Sequence, residues 1–385
     1  MLGGEYRGLG VVRSLGRRGL PVWVVREPEG DGIATHSRYA SRSLSWPAES
    51  DEARISFLRS FAREAPGWAL IPTGDETAAF LARHRDALAQ DFLVTTPPWV
   101  VLRWAYDKRL MHKLAQSLGI AAPRTWFPKG RDEVASLDCE FPAILKPAIK
   151  EGHNSFTAAK AWRVEDREEL LRRYDEACTY VDPEVVMVQE LVFGGGGSQV
   201  SYAALMQDGE ERAWLTALRL RQNPMDFGRS SSFVVSASEP DAAEASRALL
   251  REIRFTGLVE VEFKRDPRDG VVKLLDVNPR VWGWHTLGGR AGVDFPYLLV
   301  RMLRGEQVGL HRGRPGVRWV RAATDNPVCL REIAAGRLGL GDVLRSRRRG
   351  IEHAVFASDD PLPGLLEGPL LARLALSRIR RGEKV

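Results

Sequence analysis

At 385 residues the chain exceeds one typical domain, so two or three compact units are expected. Its 44% hydrophobic and 28% charged residues are those of a soluble globular protein. The net charge of +6 is interspersed with acids rather than gathered into a stripe, which excludes a dedicated nucleic-acid binder and fits a basic cleft for an anionic ligand. Cys139, Cys178 and Cys329 are too far apart for a metal or redox motif, so they are expected reduced and buried in a cytosolic protein. Glu5 and Arg7 interrupt any apolar leader, and no apolar run approaches the ~20 residues needed to span a bilayer.

In chain order, Gly3, Gly4, Gly8 and Gly10 precede or open a helix whose apolar face is Leu9, Val12 and Leu15. Gly19 ends it, and Pro21 to Val25 reads as a buried strand. This is the loop–helix–strand part of a Rossmann-like unit, with Met1 and Leu2 alone in place of a first strand. No acidic ribose ligand is clearly placed, so the glycines are a weak dinucleotide signal. A helix from Arg54, a strand at Ala69 to Ile71, a helix over Glu76 to Leu88 and a strand at Phe92 to Val94 predict a parallel sheet ending near Trp104. The turn Thr73-Gly74-Asp75 either faces a pocket or simply caps the next helix.

Asp107 caps a predicted helix, Lys108 to Leu118, that Gly119 terminates. Phe141 to Ala148, FPAILKPA, is a buried strand closed by Lys146, a costly place for a lysine unless it snorkels or meets an anion. Lys150 to Phe156 reads as a mobile loop able to cover phosphates, a weak signal with one glycine. A helix over Glu165 to Tyr174 precedes a β run, Val185 to Val192, broken by Gln189 and Glu190. The glycines at 194–197 then favour a flexible turn. Ser201 to Met206 and Ala213 to Leu220 are antiparallel strands around Asp208-Gly209, with Arg219 and Arg221 on one face. Asn223-Pro224 opens a loop through Asp226, Gly228 and three serines, and Asp241 to Arg251 is helical.

The stretch Gly257 to Arg280, GLVEVEFKRDPRDGVVKLLDVNPR, organises the rest. Glu260 and Glu262 alternate with Val259, Val261 and Phe263, so both carboxylates share a strand face. Asp266, Pro267, Asp269 and Gly270 supply a turn, and the returning strand places Asp276 and Asn278 on one face beside Arg280. Two to four oxygen ligands converge, a set suited to Mg²⁺ carrying nucleotide phosphates; the ordinary alternative is a solvated acidic hairpin. Beyond it, Trp282 and Trp284 are expected to pack a core edge and His285 to be structural. Asp294 to Leu303 is helical, the pattern loosens past Gly313, and Leu370 to Arg380 forms a last amphipathic helix. Docking of that helix on the chain's own body is favoured over contact with a membrane surface.

In order, YDKRLMHKLAQSLGIAAP, FPAILKP, MVQELV, ALRLRQNPMDFG, LVEVEFK and LLDVNPR resemble the landmarks of the ATP-grasp superfamily, close to its predicted ATP-dependent carboligases related to biotin carboxylase. The resemblance covers Gly3 to about Glu306. It implies an α/β chain (α+β in lid and core): a Rossmann-like domain at 1–104, a lid region at 105–190, a metal and substrate domain at 191–310 and a C-terminal extension at 311–385. It also implies ATP and Mg²⁺ as cofactors, with Lys108 and Lys146 on the phosphates and Gln189, Glu190 and Val192 in the adenine hinge. Glu262, Asp276 and Asn278 match the metal ligands, Arg280 the residue steadying the acyl phosphate, and Arg219 and Arg221 join the catalytic set. Gln189 stands where the family usually has a carboxylate, no ribose-binding acid follows it, and Asp276 replaces the more frequent glutamate. The implied activity is a cytoplasmic, ADP-forming ligase joining a small-molecule carboxylate and an amine; a homodimer is consistent with it. The competing reading is a non-catalytic nucleotide-binding module, regulatory or scaffolding.

Overall fold

Leu2 alone fills the place of the first strand. In the computed structural model, which describes residues 1–28, 30–47, 50–64, 66–149, 154–159, 161–228, 230–347 and 350–380, it makes parallel bridges to both Val25 and Pro72. It thereby joins two small parallel pairs: β1 (Val22–Arg26) with β2 (Ala40–Ser45), and β3 (Ala69–Leu70) with β4 (Leu93–Val94). The helix Tyr6–Gly16 packs Leu9, Val11, Val12 and Leu15 into the core below. Gly3 has φ +131°, and a β-carbon there would lie 1.8 Å from Thr73 Oγ1, so only glycine lets the chain pass this turn.

A second sheet is antiparallel, in the order β5 (Thr125–Trp126), β8 (Val186–Glu190), β6 (Ala143–Pro147), β7 (Trp162–Val164). Leu145, Val164 and Val188 bury against Leu170 and Tyr174 of the helix Arg167–Cys178, which Asp166 caps. Asn154 caps the short helix Ser155–Ala158. The expected phosphate loop otherwise falls at 150–153, outside the described residues.

The largest sheet has the order β13 (Val272–Asn278), β12 (Gly257–Arg265), β9 (Gln199–Gln207), β10 (Glu210–Asn223), β11 (Ser230–Ala237), β15 (Arg318–Val320), β16 (Ile351–His353), with β14 (His311–Arg312) pairing β10. Asp208 and Gly209, at φ 51° and 82°, form the tight β9–β10 turn. One face (Tyr202, Ala204, Val259, Val261, Phe263) packs on the helices Lys108–Ser117 and Pro240–Glu252. The other (Ala203, Leu205, Leu215, Ala217, Leu258) joins a core with Leu9, Val12, Trp282, Trp284 and Phe295.

Four expectations change. The serines read as loop begin β11, because Ser231 and Ser232 are buried between β10 and β15 and Ser236 donates to the Arg314 carbonyl at 2.7 Å. Trp99–Tyr106, not read as an element, is a helix. The boundary expected at 310 falls inside a sheet, since β14, β15 and β16 all lie beyond it and Trp319 is fully buried. The last helix starts earlier, at Leu362. It lies against the body, with Glu367 3.4 Å from Arg321 and Leu370 against the core. Among the described residues no helix is long and apolar enough to cross a membrane.

Candidate functional site

The β12–β13 register sets the chemistry. Glu262 lies directly opposite Asp276, and Glu260 opposite Asn278, so four polar side chains share one face at the strand ends. All four are buried, and three carboxylates there would repel strongly unless compensated. Arg219 of β10 reaches across β9, its Nη2 3.1 Å from Glu262 Oε1 and 3.6 Å from Glu260 Oε1. Asn278 Nδ2 donates to Glu262 Oε1 at 2.9 Å and to Glu260 Oε2 at 3.3 Å, and Trp284 Nε1 donates to Glu260 Oε1 at 2.8 Å. Burial first, and then the neighbouring Glu262 charge, pushes the Glu260 carboxyl above its ordinary pKa against the pull of Arg219 and Arg280.

The register shifts between Glu262 and Phe263, which leaves Leu275 as an extra residue, and the Leu275 carbonyl accepts from Lys146 Nζ at 3.4 Å. Lys108 Nζ lies 3.1 Å from Asp276 Oδ1. Both lysines are buried, so each anionic or carbonyl partner offsets a desolvation cost. Between them and the four-stranded antiparallel sheet opens a cavity of about 290 Å³. Its walls include Ile144, Gln189, Glu190, Leu191 and Val192 on one side and Gln222, Lys264, Leu275 and Asp276 on the other.

The structure thus brings together Lys108, Lys146, Gln189, Glu190, Val192 and Asp276 around one cavity, with Glu262, Asn278 and Arg219 next to Asp276. Gln189 is fully buried; its amide donates to Thr125 Oγ1 at 2.7 Å and to His112 Nε2 at 3.2 Å. Burial and the Lys146 and Lys108 charges hold the His112 pKa down to about 3. Glu190 is held by Arg268 at 2.8 Å and by the Arg124 backbone N–H at 3.2 Å. Arg280 Nε donates to Asp75 Oδ1 at 2.9 Å and its Nη2 to Asn278 Oδ1 at 3.0 Å, which ties the Thr73-Gly74-Asp75 turn to the hairpin.

Arg221 departs from the expected catalytic set. The β10–β11 register shifts on both sides of it, and its guanidinium closes on the buried Asp325 at 2.7 and 2.9 Å, so it is a structural ion-pair residue. Sequence reading passed over the bond from Trp284 to Glu260, and over Lys264 and Gln222 in the cavity wall. The alternation along β10 and β12 could have flagged Gln222 and Lys264; nothing local signals the Trp284 contact.

A cage of three or more acidic, His or Cys ligands is absent among the described residues. Glu262, Asp276 and Asn278 supply two carboxylates and an amide, which suits an ion that keeps waters and phosphate oxygens in its shell.

The family model described as "ATP-grasp in the biosynthetic pathway with Ter operon" matches residues 204–323. The chain is 25% identical over 305 residues to the carbamoyl phosphate synthase large chain of Myxococcus xanthus, covering 74% of this chain and 27% of that protein. It is 26% identical over 229 residues to the D-aspartate ligase of Enterococcus faecium, covering 55% and 52%. The biotin carboxylase–β,γ-ATP complex from Campylobacter jejuni superimposes with a TM-score of 0.64 at 16% identity, over 82% of this chain and 73% of that one. The chain has the ATP-grasp fold. The matched part of this chain corresponds to about a quarter and about half of the two curated relatives' lengths. Within the ATP-grasp fold, the 204–323 match spans β12, β13, Arg219 and Arg280.

Proposed function

We propose that the protein is an ATP-dependent carboxylate–amine ligase that works through an acyl phosphate and releases ADP and phosphate. The observation that carries this reading is the pairing of Glu262 with Asp276 across β12–β13 at the edge of a cavity into which Lys108 and Lys146 project. The D-aspartate ligase likeness supports the bond type.

In the proposed reaction a substrate carboxylate oxygen attacks the γ-phosphorus of ATP, and the bond from that phosphorus to the β-bridging oxygen breaks. An amine then attacks the acyl carbon, phosphate leaves, and the amine loses a proton. Little acid–base chemistry is needed, so positioning and charge neutralisation dominate. Lys108 and Lys146 would hold the phosphates, while Ile144, Leu191, Val192 and Leu275 offer an apolar slot for the base. Glu262, Asp276 and Asn278 would hold Mg²⁺, which supplies neutralisation of phosphate charge when bound. Arg280, fixed by Asp75, and Arg219 would orient the carboxylate and the transferring group. The small sheet that carries Lys146 would shield the acyl phosphate from water.

The test is ADP formation from ATP and Mg²⁺ against a panel of acids and amines, with the condensed product identified by mass. Release of AMP, or tight ATP binding with no ADP from any pair, removes the ligase reading and leaves the non-catalytic nucleotide module.

A further inference from the structure

The last helix, Leu362–Arg380, is apolar on two sides, where a docked surface helix needs only one. Pro363, Leu366, Leu370, Leu371 and Leu374 are buried or half-buried against the body. Docking uses that face alone. On the opposite face Leu362, Leu365, Leu376 and Ile379 are between 48% and 69% exposed, with Pro369 and Ala372 exposed between them. The six positions fall alternately three and four residues apart, so they line one stripe along the helix. Phe356, also exposed, lies where a β-carbon on Gly364 would be 3.0 Å from its ring, and extends the apolar surface at the first turn. Such a run exceeds the single apolar side chains scattered over ordinary surfaces.

Charge is the second observation. Exposed Arg373 and Arg380, seven residues apart, border the stripe, and Arg378 adds a third exposed guanidinium in the last turn. Among the described residues none of the three has an ion-pair partner. The nearby acids are engaged elsewhere. Glu367, the one acid in the helix, meets Arg321, while Asp359 and Asp360 just before it close on Arg17 and Arg13. The outward half of the helix is therefore apolar and purely cationic.

A second copy of the chain fits this face poorly. Pro369 and Ala372 at the middle of the stripe offer no knobs for a facing helix. A helix of 19 residues, about 28 Å long and about 10 Å wide, presents roughly 300 Å², well below the ~800 Å² per partner of a stable interface. A lipid surface asks for no shape match, only an apolar strip that can sink to the headgroup boundary and cations beside it for the phosphates.

We propose that Leu362–Arg380 is a peripheral membrane-contact helix, lying along an anionic lipid surface while its inner face stays docked on the body. Leu365, Leu376 and Ile379 would enter the acyl boundary, and Arg373, Arg378 and Arg380 would meet lipid phosphates.

Flotation of the full chain tests this, with vesicles of phosphatidylcholine alone and of phosphatidylcholine and phosphatidylglycerol in equal parts. The chain is expected to float with the anionic set only, and less at high salt. Leu365→Ser and Leu376→Ser should each weaken binding about 10-fold, the loss of one apolar side chain from the interface. Arg373→Glu combined with Arg380→Glu should remove binding to the anionic set. Val100→Ser, at an exposed apolar residue of the helix Trp99–Tyr106, should leave flotation unchanged. Each altered side chain is exposed, so the variants should keep the parent's urea midpoint. The proposal is overturned if the chain floats with neither set, or equally with both, or if Leu365→Ser and Leu376→Ser float like the parent. Sedimentation showing a dimer that Leu376→Ser dissociates, without flotation, would assign the stripe to a second copy and equally overturn it.

Discussion

Glu262 and Asp276 sit among compensating cations and amides, so their loss should separate function from folding. Glu262→Gln and Asp276→Asn are each expected to cut ADP formation at least ~100-fold, the scale of metal-held charge stabilisation. The urea midpoint should hold for Glu262→Gln, since the Glu260 carboxylate stays beside Arg219, and fall for Asp276→Asn, which removes an anionic partner of the buried Lys108 ammonium, the cooperative transition being kept in both. Asp325 behaves oppositely. It is fully buried and answers both Arg221 and Arg347, so Asp325→Ala strands the buried Arg221 guanidinium and should cost about 3–5 kcal/mol of unfolding free energy. His112 and His285 add a pH dependence. Their folded pKa values, about 3 and about 4, lie below the ordinary 6.5, so the unfolded chain binds more protons between those values. Stability should be full above pH 6.5 and fall as pH drops toward 4; unfolding midpoints for His112→Gln should show a shallower fall than the parent chain. The alternation Glu260, Glu262, then Asp276, Asn278, Arg280 was legible because a two-residue period fixes the shared face whatever the tertiary setting. Their partners were not. Asp75 lies 205 residues from Arg280, and Asp325 lies 104 from Arg221, separations that local pattern cannot join.

At the scale of elements, strands with strong apolar alternation were readable, and β11 was not, because its serines are taken into the sheet by backbone pairing with β10 and β15, Ser236 also donating to the Arg314 carbonyl. The looseness of the pattern past Gly313 has the same origin. β15 and β16 are three residues each, and they owe their order to the sheet edge and to Trp319, whose Nε1 donates to Thr286 Oγ1 at 2.9 Å. A chain ended after residue 310 would expose the β11 edge and open the core around Trp319. Such a truncation is expected to lose its cooperative urea transition and near-ultraviolet dichroism; a sharp transition with intact dichroism would show that 311–385 is a separable extension.

At the scale of the molecule, the cavity of Lys108 and Lys146 is walled by two sheets, so a ligand that touches both should stabilise the whole. With MgATP at ~100 times its dissociation constant the gain is about 2.7 kcal/mol, read as a rise in the melting midpoint. Lys146→Ala should remove most of that rise.

Asp276 already has an occupant in the ammonium of Lys108. If, as proposed, that carboxylate holds a divalent ion, the ion would have to displace a resident cation instead of entering a bare anionic trap, and would gain correspondingly little on its own. The displaced lysine would then be at liberty to greet an incoming triphosphate. Ion and nucleotide would thus recruit one another, each poor company for the apo chain without the second.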